Sequence, residues 1–146
     1  YAISIKNTVD SMLKSKAFIA QINEKEKLTY RGGKWINNKL TTKLKSFGRF
    51  TVAIDTIPPI IKGLNIYSGK KITSSSIKMT VKDDMSGIKS YRGEIDGKWI
   101  LMEFDPKKAR LTHYFEKDLS KGKHAFTLKV EDEKGNISNY KSNFIY

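Results

Sequence analysis

Cysteine is absent from this 146-residue chain, which removes disulfides, a thiolate nucleophile and every Cys-ligated zinc site. Histidine is nearly absent too, with only His113 and His124, eleven residues apart. Neither stands in an H-x-H, H-x-x-x-D or H-E-x-x-H spacing, so a zinc centre lacks its ligand pattern. No G-x-S-x-G elbow occurs, and Tyr30-Arg31-Gly32-Gly33-Lys34 lacks the strand–loop–helix setting of a phosphate loop. No run approaches the roughly 18 apolar residues of a membrane helix, and no charged-then-apolar segment opens the chain. These absences argue against an enzyme. No catalytic residue and no cofactor is assigned, and both histidines read as surface or strand-face residues.

What the chain does carry is positive charge, 28 Lys and Arg against 15 Asp and Glu, for a net +13. Residues 1–56 hold 11 basic and 4 acidic side chains and residues 57–146 hold 17 and 11, so the excess is spread along the chain and not gathered in a tail. The lysines alternate with hydrophobes, as in Ile77-Lys78-Met79-Thr80-Val81-Lys82. On a strand this puts Lys in water and the apolar residue in the core, and exposed Lys also blocks edge pairing. A polyanion surface is the alternative. Nucleic acid is the weakest partner, because no recognition motif occurs and the basic residues form no single stripe.

The dominant period is two: Tyr1-Ile3-Ile5, Phe50-Val52-Ile54, Ile77-Met79-Val81 and Phe126-Leu128-Val130 alternate with polar or small neighbours. Turn residues punctuate the runs, Asn37-Asn38 and Asp96-Gly97 among them. Asp-Gly between Tyr91–Ile95 and Trp99–Phe104 is a strong hairpin signal, since a type I′ turn needs positive φ at both central residues. One short helix is expected over Thr8–Ser15, with Val9, Met12 and Leu13 on one face. The class is all-β. Pro58-Pro59 lock φ and remove two N–H donors, so a boundary is placed there, with a small β unit at 1–56 that reads as the tail of a β-sandwich. Residues 57–146 offer seven strand candidates (60–66, 75–82, 88–95, 98–104, 109–115, 123–131 and 137–145), the count of an immunoglobulin-like β-sandwich. Tyr1 in place of an initiating Met is read as the start of a piece of something longer.

Two groups invite chemistry. Asp83 and Asp84 close the second strand of the C-terminal unit, Asp132 and Glu133 close the sixth, and in an immunoglobulin topology both loops lie at the pole where the first strand begins after Asp55. Such oxygens suit Ca²⁺, although the spacings also fit Asx-capped turns, the simpler reading. Trp35 and Trp99 each follow Gly-Lys. An indole beside Tyr30 or Tyr91, with Lys34 adjacent, makes a sugar-stacking platform, whereas Trp99, before Ile100-Leu101-Met102, reads as a core residue.

Four segments then carry a resemblance: Arg31-Gly32-Gly33-Lys34-Trp35; Phe47-Gly48-Arg49-Phe50-Thr51-Val52-Ala53-Ile54-Asp55-Thr56-Ile57-Pro58-Pro59; Ser86-Gly87-Ile88-Lys89-Ser90-Tyr91-Arg92-Gly93-Glu94-Ile95-Asp96-Gly97-Lys98-Trp99; and Asp132-Glu133-Lys134-Gly135-Asn136. Together they resemble the C-terminal, non-catalytic immunoglobulin-like region of exported bacterial lysostaphin-type zinc peptidases, which cut peptidoglycan cross-links. The resemblance covers most of residues 28–146, and residues 1–27 match more loosely. It implies an attached upstream peptidase domain and an extracytoplasmic, cell-envelope location. The zinc motifs of that family, H-x-x-x-D and H-x-H, have no counterpart here, so no catalytic residue carries over. The expectation is a non-catalytic spacer that positions the peptidase on peptidoglycan. The alternative is a stand-alone glycan-binding or adhesion module that uses a basic, aromatic-bearing surface.

Overall fold

Alternating apolar and polar residues leave each strand one greasy face, and such faces are buried by stacking sheets. The computed structural model describes residues 1–117 and 119–146. They divide into two units. The first comprises Tyr1–Ile57 together with the loops Asp84–Gly87 and Glu133–Asn136; the second comprises Pro58–Asp83, Ile88–Asp132 and Ile137–Tyr146.

The first unit runs through β1 (Ala2–Lys6), a 3-10 turn (Ser11–Lys16), β2 (Ala17–Ile22), β3 (Leu28–Tyr30), β4 (Lys34–Ile36), β5 (Lys39–Lys43) and β6 (Arg49–Ile54). Its strands form two antiparallel sheets, β1-β5-β4 and β3-β2-β6. Ala17, Ile19 and Leu40 form a core with Ile3, Ile5, Trp35, Phe50 and Val52 packed on it. The other face of β2 is buried as well: Phe18 and Ala20 pack with Ala53, Tyr30 and Met85. Ala17-Phe18-Ile19-Ala20 therefore reads as a continuous apolar run, the mark of a strand covered on both sides.

The helix expected over Thr8–Ser15 is instead the six-residue 3-10 turn, with the Asp10 side chain accepting from the Met12 N–H at 2.9 Å. Met12, assigned to its buried face, is 83% exposed. Two turns of helix cannot stabilise themselves in isolation, and capping by Asp10 selects the tighter form.

The second unit contains β7 (Ile60–Gly63), β8 (Lys70–Lys71), β9 (Ser76–Lys82), β10 (Ile88–Ile95), β11 (Lys98–Ile100), β12 (Glu103–Asp105), β13 (Arg110–Tyr114), β14 (Lys123–Asp132) and β15 (Ile137–Ile145). A five-stranded sheet, β11-β10-β14-β15-β8, faces a four-stranded one, β12-β13-β9-β7, across a core that includes Ile77, Met79, Leu111, Phe126, Leu128 and Phe144. All pairings are antiparallel except β15 with β8. This is an immunoglobulin-like sandwich.

The single strand expected over 98–104 is two. β11 pairs with β10 and β12 pairs with β13, so the chain changes sheet at Leu101-Met102. Met102 is buried where the chain crosses. A Cβ on Gly93 would stand 2.6 Å from its sulfur and 3.2 Å from Ile100 Cγ1, so only glycine lets Met102 lie against β10. The Asp96-Gly97 turn has φ of 52° and 77°, and Ile95 pairs with Lys98, the two-residue hairpin that the sequence predicts.

Gly93→Ala should displace Met102 and lower stability by about 1–3 kcal/mol. In a double-mutant cycle with Met102→Ala the two losses should sum to more than the loss in the double variant, since the smaller side chain removes the collision. Met12→Ala should change stability by less than about 0.5 kcal/mol. Denaturant midpoints at constant m-value measure all four variants.

Candidate functional site

The hairpin turn and the strand crossing build one cleft of the second unit, about 350 Å³. Asp96 leads the turn with its backbone N–H donating to Ala125 O at 2.8 Å. Its carboxylate accepts the Ala125 N–H at 2.8 Å through Oδ1 and His124 Nδ1 at 2.6 Å through Oδ2. The other ring nitrogen of His124, Nε2, lies 2.7 Å from Ser120 O. Both partners of this ring are acceptors, a carboxylate and a carbonyl, so both ring nitrogens carry hydrogens and the side chain is an imidazolium. The Asp96 hydrogen bond raises the His124 pKa above its ordinary 6.5, against the desolvation that opposes it. The same bond, with that from Ala125, lowers Asp96 below its ordinary 3.8. A cation committed on both sides can neither accept a proton nor ligate a metal.

His113, on β13, is different. Its Nδ1 donates to Leu101 O at 2.8 Å, and its ring meets Phe115 edge-on at 5.8 Å. Among the described residues this is the one hydrogen bond of the ring, which leaves Nε2 without a hydrogen-bond partner. The two histidines, read as separate strand-face residues, are both buried and line the same cleft. Their meeting is missed by sequence reasoning because it depends on the pairing of β13 and β14 into different sheets; Asp96-Gly97 is the local signal that pointed near it.

Trp99 is not a core residue. It lies on β11 at the cleft rim with 58% of its surface exposed, next to Leu101 at 60%. Once the chain turns inward at Met102, that side chain takes the core position and the indole stays outside.

Within the first unit, Trp35 and Tyr30 lie on different faces. Trp35 is half-buried in the first core, its Nε1–H donating to Lys14 O at 2.9 Å and the Lys14 ammonium 5.4 Å from its ring. Tyr30 packs on Phe18, on the opposite face of the β3-β2-β6 sheet. Lys34 is exposed at the start of β4, and Tyr91, in the second unit, leans on Phe104.

The acidic candidates differ in exposure. Asp84 and Glu133 are exposed. Asp83 and Asp132, in the second unit, bring carboxylate oxygens within 4.8 Å of each other, and neither is without a partner. Asp55, in the first unit, is fully buried and acts as a turn former. Its carboxyl oxygens accept the Ser86 N–H at 3.1 Å, the Ser86 hydroxyl at 2.5 Å and the Ile57 N–H at 3.1 Å. The Asn136 amide donates to its main-chain carbonyl at 3.0 Å, and the Lys16 ammonium donates to Asn136 Oδ1 at 2.7 Å. This network holds the loops 84–87 and 133–136 in the first unit.

The stability contributed by His124 is complete below about pH 6.5 and is lost as pH rises through its elevated folded pKa; that of Asp96 is present above about pH 4 and is lost as pH falls through its depressed one. Asp96→Asn keeps a residue that tolerates the left-handed turn, so the stability gap to the native chain should be widest near pH 5–6 and shrink towards pH 9. Urea titrations across pH, with the His124 resonances followed by NMR, measure it. Asp55→Ala leaves two buried donors of Ser86 unsatisfied and frees the part-buried Ile57 N–H, and should cost roughly 3 kcal/mol, read by thermal melting.

Residues 1–55 match the family model of the Zu5-like domain. Among solved structures the chain is similar to CopC from Methylosinus trichosporium OB3b, with 18% identity and a TM-score of 0.40, over 55% of this chain and 82% of that one. No curated protein matches the chain.

Proposed function

We propose that this chain is a non-catalytic accessory module of an exported cell-envelope protein, and that it positions an attached peptidoglycan peptidase on its substrate. The observation that carries the reading is the state of the cleft histidines. His124 is held as a cation by Asp96 and Ser120 O, and among the described residues His113 has no acidic partner of its own to activate it. The sandwich interiors are filled with apolar side chains, as suits a rigid spacer. The location and the peptidase partner rest on the resemblance of residues 28–146 to the tail region of lysostaphin-type enzymes. The net charge of +13 suits contact with anionic wall polymers through long-range attraction.

Joined behind a lysostaphin-type catalytic domain, the chain should lower KM on isolated cell walls several-fold and leave kcat on a short soluble peptide unchanged. Alone it should release no fragment from the walls. Equal KM with and without the chain would remove the positioning role.

A further inference from the structure

The cleft beneath Trp99 has the features of a ligand site that the spacer role does not use. The indole lies on the edge strand β11 with more than half its surface in water, beside the equally exposed Leu101. Together the two side chains give the rim of this concavity an apolar edge. Inside, His113 is buried and oriented by Leu101 O, with Nε2 left for a ligand to pair. Glu116 and Ser120 line the same cleft and add a carboxylate and a hydroxyl. Among the described lining residues the formal charges balance, Asp96 against His124 and Lys98 against Glu116. An apolar plate with convergent polar groups suits a pyranose ring. Its C–H face stacks on an indole while its equatorial hydroxyls hydrogen-bond outward.

We propose that this cleft binds a neutral pyranose of a polysaccharide, stacked on Trp99 and hydrogen-bonded to His113 Nε2 and Glu116. The volume of about 350 Å³ is at the small end of ligand clefts, enough for one ring with its neighbours outside. His113 acts as a positioning residue, and its buried ring costs little entropy on binding because Leu101 O already fixes it. The site is separate from the platform of Trp35, Tyr30, Tyr91 and Lys34, and from any peptidase positioning.

The test is a titration of the whole chain with cellotetraose and with chitotetraose, followed by NMR of the two indole Nε1–H signals and the His113 ring nitrogens. Trp99 and His113 should shift while Trp35 stays still. Binding of cellotetraose as well as chitotetraose means that ring hydroxyls suffice; binding of chitotetraose alone means that an acetamido group is read; both support the site. Trp99→Ala should weaken binding about tenfold or more and Trp99→Phe much less, with melting temperature unchanged in both. Two results would overturn the proposal: no shift of Trp99 with either sugar at about 10 mM, or equal affinity in Trp99→Ala. Neither result bears on the KM measured with a fused peptidase, so the two readings stand or fall separately.

Discussion

The crossing of the chain from β11 to β12 is the constraint on which the second unit's cleft depends. Two residues, Leu101 and Met102, carry it between sheets. Met102 goes inward because Gly93 leaves room for it, and Leu101 and Trp99 then have nowhere to go but out. The crossing also presents Leu101 O to His113, which fixes the ring. A side-chain volume on β10 thus decides the position of an indole on the rim and of an imidazole in the wall. Packing density makes such coupling unavoidable, since a well-filled core cannot absorb a displaced thioether without moving its neighbours.

Two histidines in one cleft illustrate how little a residue type says about its role. His124 spends both nitrogens on acceptors and becomes a fixed charge that ties the Asp96 turn to β14. His113 spends one and keeps the other. The difference lies in what each strand register places opposite the ring, a carboxylate and a carbonyl in one case and a single carbonyl in the other. The first is a structural clamp; the second keeps a ring nitrogen without a partner among the described residues.

Much of the fold was legible because it rests on local rules. Asp96-Gly97 and Asn37-Asn38 both adopt positive φ at consecutive residues, as their side chains permit, and the period-two runs became strands. What escaped was set by distant neighbours. The stretch 98–104 alternates like one strand, yet its two halves hydrogen-bond to different sheets, and periodicity has no means of showing a change of partner. Met12 sits at helical spacing from Val9, but Asp10 closes a 3-10 turn and leaves the thioether in solvent. Of the acidic candidates, Asp55 accepts from Ser86 and Ile57, and Asp84 and Glu133 face water.

By itself the amino-acid order determined the all-β class and the hairpin turns, because each depends on residues within a few positions of one another. Tertiary structure alone decided which aromatic is exposed, which histidine is free, and that His113, His124 and Trp99 share one cleft. Those outcomes depend on sheet pairing between segments tens of residues apart, where the winning arrangement is the one that fills the core without voids, and no local pattern records that competition.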